Sequence, residues 1–196
     1  MRILQYNLGF SPYRSGGLTR YAYDLMKSQM DLGLQVYALY PGGTNLFKPK
    51  CSVTHEGMIK KIEVFELVNP MPVPLYYGIK SPYDMMDESC LDEQSFCGML
   101  DRIMPDVMHV HTLMGLPKKY LSIVHDKNVR IVYTSHDYFG LCPKVNLINC
   151  ENACCEGMNE SRCVSCNKDA KPVWFLRIRN FKCLVPFKSI VRRMLR

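Results

Sequence analysis

The sequence predicts an α/β domain built on a parallel sheet with helices over its faces. Two observations indicate this class: short apolar strands alternate with amphipathic helices, and a glycine-bearing turn joins the first strand to the first helix. A length of 196 residues, 47% of them hydrophobic, suffices for one core. We therefore expect one domain over residues 1–169, followed by a segment of different character at 170–196.

The first strand-helix-strand unit is the clearest part of the pattern. Residues 2–7 predict a buried strand, followed by a turn that holds Gly16 and Gly17. Apolar residues then recur at helical spacing, at Leu18, Tyr21, Ala22, Leu25, Met26 and Met30. Gly33 predicts the end of that helix, and residues 35–40 predict the second strand.

The alternation continues after a weaker stretch at residues 47–82, where Ile62–Val68 predicts one strand and a proline-rich run predicts a loop. The later predicted elements are a helix at 91–104, a strand at 107–111, a helix at Lys118–Asp126 and a strand at 130–134. Parallel strands with short crossovers indicate a Rossmann-like doubly wound sheet. Such sheets place ligand sites at the carboxyl ends of their strands.

Gly16 and Gly17 stand just before a helix, where free N–H groups and the helix dipole favour a phosphate. Glycines there also let a ligand approach the backbone closely, although an ordinary tight turn would use them equally. No GxGxxG or GxxxxGK[ST] motif is present, which disfavours the usual dinucleotide fingerprint and a P-loop.

Histidines follow two of the later strands. We expect His109 and His111 to face opposite sides of the sheet, with His109 packed and His111 contacting a ligand or handling a proton. His136 and Asp137 follow the last predicted strand. Asp137 either orients the histidine or caps the next turn.

Six of the ten cysteines lie between residues 142 and 166. Because the sequence shows no export signal, a metal site explains them better than disulfides do. Cys163 and Cys166 have CxxC spacing, and Cys142 with Cys155 or Cys154 would complete a structural zinc site that pins a polar loop. Free thiols, or a site degraded from an older one, are the alternatives.

The net charge of +7 comes from the end of the chain. Residues 170–196 hold eight basic residues and no acid, whereas the remaining 17 basic and 18 acidic residues nearly balance. A neutral body argues against a nucleic-acid-binding protein, which spreads positive charge over a binding face. Residues 187–195 predict a basic amphipathic helix that lies on an anionic membrane or covers its own domain.

The chain is expected to be cytoplasmic, with the inner face of the membrane as a second place of contact. No apolar run approaches the roughly 20 residues needed to span a bilayer. The N-terminal residues also meet a glycine turn too early for a signal peptide.

Taken together, three motifs resemble the N-terminal half of GT-B glycosyltransferases of family 4. They are the glycine loop, helix and strand entry at residues 16–36, the PDVMHVH strand at 105–111, and TSHDYFGLCP at 134–143 with the later CVSC. The last is similar to a subgroup with a cysteine-bearing loop after the His-Asp motif. The resemblance covers about residues 1–166, and Leu34 stands where the family often has histidine.

The resemblance implies transfer of a sugar from a nucleotide-sugar donor to a glycan or lipid-linked acceptor, with no cofactor in the chemistry. It places Gly16 and Gly17 at the donor diphosphate, His111 near the transferred sugar, and His136 and Asp137 on the acceptor side. A GT-B active site lies between two domains, and the family's C-terminal donor-binding domain has no counterpart in this sequence. We therefore expect the chain to need a separate donor-binding half, as a fragment, a split gene product or a remnant.

Two other functions remain open at this point. One is a non-catalytic module that recruits a partner or a membrane through residues 170–196. The other is a zinc-dependent nucleic-acid-binding protein, which salt-dependent binding of generic DNA or RNA would support.

Overall fold

The computed structural model describes residues 1–47, 49–78, 80, 88–157 and 159–179. Its strands are β1 (Arg2–Tyr6), β2 (Gln35–Pro41), β3 (Ser52–Ile59), β4 (Ile62–Val68), β5 (Val107–Val110) and β6 (Arg130–Tyr133). Its helices are α1 (Gly17–Asp31), α2 (Glu93–Ile103), α3 (Lys118–Asp126), α4 (Glu160–Cys166) and α5 (Val173–Arg179), with a 3-10 turn at Leu75–Tyr77.

The strands form one six-stranded sheet in the order β3-β4-β2-β1-β5-β6. Neighbouring strands run parallel, except that β3 pairs antiparallel with β4. From β1 the chain builds the sheet in one direction through β2 and β4, and then returns to add β5 and β6 on the other side. The direction of winding therefore reverses between β1 and β5.

Helices cover both faces of the sheet. One apolar cluster joins Ala22 and Met26 of α1 to Val36 of β2. A second cluster, on the opposite face, contains Phe96 of α2 and Tyr120 of α3, whose rings stack with centroids 4.1 Å apart. The predicted α/β class is confirmed, and the mostly parallel sheet is compatible with a Rossmann-like domain.

The strand β3 was not predicted. It pairs antiparallel with β4, so the sheet is not wholly parallel. Lys60 and Lys61 form the two-residue connection from β3 to β4, and both have positive φ angles, of 51° and 70°. Hairpin turns with two positive φ angles usually carry Asn or Gly. Because this turn carries two lysines, the sequence does not indicate a hairpin. Most of β3 is exposed or half-buried, so its apolar alternation is weak as well.

The start of the basic C-terminal segment packs on the domain. Leu176 of α5 is 1% exposed, and the ring of Phe175 contacts that of Tyr77 at a centroid distance of 5.7 Å. Residues 171–179 thus cover part of the body. The amphipathic helix predicted at 187–195 lies outside the described residues. In the ranges that the structure covers, none of the helices combines the length and apolarity needed to cross a bilayer.

Candidate functional site

The carboxyl ends of β1 and β5 meet at the point where the winding of the sheet reverses. Open α/β sheets bind their ligands at this point, in the crevice outside the strand ends. Buried polar side chains collect at this edge of the sheet: Gln5 and Asn7 lie in and after β1, and His111 and Thr112 follow β5, all with no exposed surface. Burying four polar residues costs free energy unless each has hydrogen-bond partners. Their presence together distinguishes this edge from an ordinary apolar core.

The N-terminus of α1 is open to solvent beside this crevice. Gly16 caps the helix with a φ angle of 141°, a conformation that favours glycine. No side chain caps the helix, and its first turn holds no acidic residue. The first N–H groups of a helix have no partner within it, so these amides are available to an anion.

A cavity of about 440 Å³ adjoins this helix start, a size typical of small-molecule sites. Three cationic residues line it, Arg14, Arg20 and Lys60, and its described lining includes no carboxylate. Asp24 lies outside the cavity, with a carboxylate oxygen 3.7 Å from Nε of Arg20 in an exposed pair. Exposed pairs of this kind are weak, so the cavity remains favourable for an anionic ligand.

His111 belongs to a chain of hydrogen bonds that runs from the buried strand to the surface. Its Nε2 lies 2.7 Å from Oε1 of Gln5, and Nε2 of Gln5 donates to Oε1 of Gln29 at 2.7 Å. On the other side, Nδ1 of His111 lies 3.2 Å from Nε2 of His136. The Tyr21 ring of α1 contacts both imidazoles, with centroids 5.8 Å from His111 and 4.8 Å from His136.

Burial lowers the pKa of His111 to about 3, with smaller contributions from the neighbouring His109 and His136. Burial also lowers the pKa of His109. His111 is therefore neutral at pH 7. Because its side chain has no exposed surface while that of His136 is exposed, His136 is the member of the pair that can contact a molecule in the crevice.

The expectation that His109 and His111 face opposite sides of the sheet is wrong. Their rings lie on the same side, with centroids 4.2 Å apart, because residues two apart in a strand share a face. His109 is held by Thr134, whose hydroxyl lies 2.8 Å from its Nε2. The two histidines thus form one layer with His136.

Asp137 supports the loop after β6 and has no hydrogen bond with His136 among the described residues. One carboxylate oxygen accepts the N–H of Phe139 at 2.9 Å, and the other accepts the hydroxyl of Thr112 at 3.4 Å. This geometry matches the turn-capping alternative. It also ties the loop after β6 to the end of β5.

The cysteine-rich loop is organised by backbone and amide contacts. Oδ1 of Asn149 accepts two backbone N–H groups at 2.9 Å each, and the Sγ of Cys166 accepts the N–H of Cys150 at 3.2 Å. In the described part of the chain, no three His, Cys, Asp or Glu side chains are grouped so that they could hold a metal ion. The structure thus does not bring the four predicted ligands together, which are Cys142, Cys155, Cys163 and Cys166. Zinc binding by them stays a prediction.

The cavity and the histidines lie on different sides of α1. Thr19 and Tyr23 line the cavity, whereas Tyr21, about 200° round the helix from each, contacts the histidines. Gly16 and Gly17, at the start of the helix, also line the cavity. The sequence predicted that the glycines and the histidines form one site. In the structure, the glycines line the cavity and the histidines lie on the other side of α1.

Sequence reasoning missed Gln5, Tyr21 and Gln29. A signal was available for Gln5, because this polar residue stands between the apolar Leu4 and Tyr6 in the first strand. No comparable signal marked Tyr21 and Gln29, whose spacing fits an ordinary helix.

No model of a known protein family matches the chain, and no curated protein matches its sequence. The family resemblance in the motifs accordingly stays a prediction. A function has to be inferred from the two features on either side of α1.

Proposed function

We propose that this chain is the acceptor-side half of a GT-B glycosyltransferase of family 4, which transfers a sugar from a nucleotide-sugar to a glycan or lipid-linked acceptor. One observation carries the proposal: the helix that begins at the glycine turn also provides Tyr21, which contacts the histidines that follow β5 and β6. Three motifs that are distant in sequence thereby meet at the carboxyl edge of the sheet.

The helix start is assigned to the donor diphosphate. Gly17 supports this assignment, because a Cβ added there would meet no atom within 4 Å. Its backbone is helical, so neither conformation nor packing within the described chain requires glycine at this position. Space above bare amides, next to the cations Arg14 and Arg20, suits a pyrophosphate group.

His136 is assigned to the sugar side of the crevice. Its imidazole is exposed and rests against Tyr21, whereas His111 is enclosed beneath it. An exposed imidazole held by a buried partner can hydrogen-bond a sugar hydroxyl in a defined direction. His111, which the family resemblance places near the transferred sugar, then acts through His136.

The nucleotide itself is assigned to a donor-binding half outside these 196 residues, either on the same polypeptide or on another. GT-B sites are clefts between two domains, and the crevice described here would form one wall. Zinc, if the cysteine loop holds it, has a structural role and no part in the transfer.

Pyrophosphate binding tests the helix start. Calorimetric titration of the full chain should show binding that Gly17→Ala weakens by at least about tenfold, because the added methyl group occupies the ligand's place. Gly98→Ala is the matched control: Gly98 also lies in a helix, α2, with no atom near its absent Cβ. Both variants should be at least as stable as the wild type, because alanine favours a helix over glycine by up to about 1 kcal/mol. Equal affinity in wild type and Gly17→Ala would contradict the assignment.

Sugar transfer tests the function as a whole. The chain is mixed with a donor-binding half, encoded next to it or taken from a family 4 enzyme, together with labelled nucleotide-sugars and extracted glycan and lipid-linked acceptors. We expect label in an acceptor only when both halves are present, and a loss of at least about 100-fold in His136→Ala. Failure with every donor half and every nucleotide-sugar would reject the proposal.

A further inference from the structure

We propose that Gln29, Gln5 and His111 form a hydrogen-bonded relay that fixes the tautomer of His136 and leaves its Nδ1 as the hydrogen-bond acceptor for a hydroxyl in the crevice. The relay itself is independent of the enzyme's identity. Assigning the hydroxyl to the sugar acceptor rests on the proposed function.

The relay begins with the amide of Gln5. Its nitrogen donates to Oε1 of Gln29, so its carbonyl oxygen faces Nε2 of His111 at 2.7 Å. A carbonyl oxygen only accepts hydrogen bonds. With the amide in this orientation, Nε2 of His111 carries the ring proton.

The second step passes this choice to His136. The low pKa of His111 keeps the ring neutral, so a proton on Nε2 leaves Nδ1 with a lone pair. That lone pair faces Nε2 of His136 at 3.2 Å, and a hydrogen bond between them requires the proton to be on His136. Neutral His136 then has an unprotonated Nδ1, which has no hydrogen-bond partner in the ranges that the structure describes.

The third step concerns the bound hydroxyl. Because Nδ1 of His136 has a lone pair, it accepts a hydrogen bond from the acceptor hydroxyl and holds that oxygen in one orientation. As the oxygen bonds to the anomeric carbon, the bond from that carbon to the donor phosphate oxygen breaks, and the hydroxyl proton leaves with the departing phosphate. His111, Gln5 and Gln29 are positioning residues, because they act through His136.

The tautomers can be measured directly by nitrogen-15 NMR of the histidine rings in the full chain at pH 7.5. We expect His111 and His136 each to be a single Nε2–H tautomer in the wild type. Gln5→Met keeps the length of the side chain and removes the acceptor, so a substantial Nδ1–H population should appear in both rings. A mixture in the wild type, or unchanged tautomers in Gln5→Met, would overturn the relay.

Two further variants complete this test. Gln29→Leu changes a half-buried residue on α1 and frees the Gln5 amide to turn, so it should also yield mixed tautomers even if Gln5→Met does not fold. Thr134→Val is the matched control, since it removes the partner of His109 and leaves the relay intact. The control should leave both rings in the Nε2–H form.

Transfer assays with the donor-binding half distinguish the two proposals. Gln5→Met should lower kcat by at least about tenfold and leave KM for the nucleotide-sugar unchanged, because it alters the hydrogen bond to the acceptor hydroxyl and not donor binding. Single tautomers without any transfer would reject the proposed function and keep the relay. Transfer with mixed tautomers in the wild type would reject the relay alone.

Discussion

A neutral, fully buried histidine lies at the centre of the candidate site. His111 has no exposed surface, and both ring nitrogens have hydrogen-bond partners within the protein. Such an imidazole is costly to protonate, because a charge placed there would lose its hydration. It is therefore suited to orient another group and unsuited to exchange protons with substrate.

This burial makes folding stability depend on pH. The folded pKa of about 3 lies below the ordinary value of 6.5, so the unfolded chain takes up a proton first as pH falls. His111 thus stabilises the fold fully above pH 6.5, and this contribution decreases by roughly 2 kcal/mol between pH 6.5 and pH 5. Urea unfolding at pH 7.5 and 5.0 should show the loss in the wild type.

Two variants isolate that contribution. His111→Gln should reduce the pH-dependent loss of unfolding free energy by about the same 2 kcal/mol. His125→Gln is the control, since His125 lies exposed on α3 and should leave the loss nearly unchanged. A wild-type loss equal to that of His111→Gln would show that His111 is protonated as readily when folded as when unfolded.

At the scale of single elements, the N-terminal cap of α2 is encoded by a short stretch of sequence. The helix α2 begins after Asp92, whose carboxylate accepts the N–H of Ser95 at 3.1 Å. The hydroxyl of Ser95 in turn donates to the backbone oxygen of Asp92 at 2.9 Å. This cap is local in sequence, and it also adjoins β3, because the Ser95 hydroxyl accepts the N–H of Val53.

Removing the cap should destabilise the protein. We expect Asp92→Ala to lower the free energy of unfolding by about 1 kcal/mol, since one N–H of the first turn loses its acceptor. Asp92→Asn retains a side-chain oxygen and should stay close to the wild type. Chemical denaturation monitored by circular dichroism measures both, and equal stability of the two variants would contradict the capping role.

At the scale of the whole molecule, the described part of the C-terminal segment belongs to the domain. The 3-10 turn before the second half of the chain provides Tyr77, which the ring of Phe175 and the guanidinium of Arg179 both contact. The hydroxyl of Thr44 donates to the carbonyl of Arg177 at 3.1 Å. These contacts join residues that are more than 90 positions apart.

Leu176 tests this attachment. Truncating a buried leucine leaves a cavity, so Leu176→Ala should lower the free energy of unfolding by about 2–4 kcal/mol. Ile178→Ala is the matched control on the same helix, because Ile178 is 47% exposed. It should cost less than about 1 kcal/mol. If the two variants cost the same, α5 is not anchored to the body as described.

Much of the fold could be predicted because it is encoded locally. Helical spacing identified α1 and α3, and short apolar runs identified β1 and β5. The hairpin β3-β4 escaped because its Lys60-Lys61 turn lacks the usual residues for positive φ. In the candidate site, the glycine turn and the histidines were visible for a similar reason, since the glycines lie at the start of α1, and His111 and His136 lie just after β5 and β6.

The sequence alone determined the class of the sheet and the edge at which polar residues collect, because both follow from periodicity and from the common direction of parallel strands. Only the tertiary structure decided which of these residues contact each other. Gln5 meets Gln29 and His111 across 24 and 106 positions of chain, and His111 is buried beneath His136. Burial, tautomer and pKa depend on neighbours brought together by packing, and no local pattern records them.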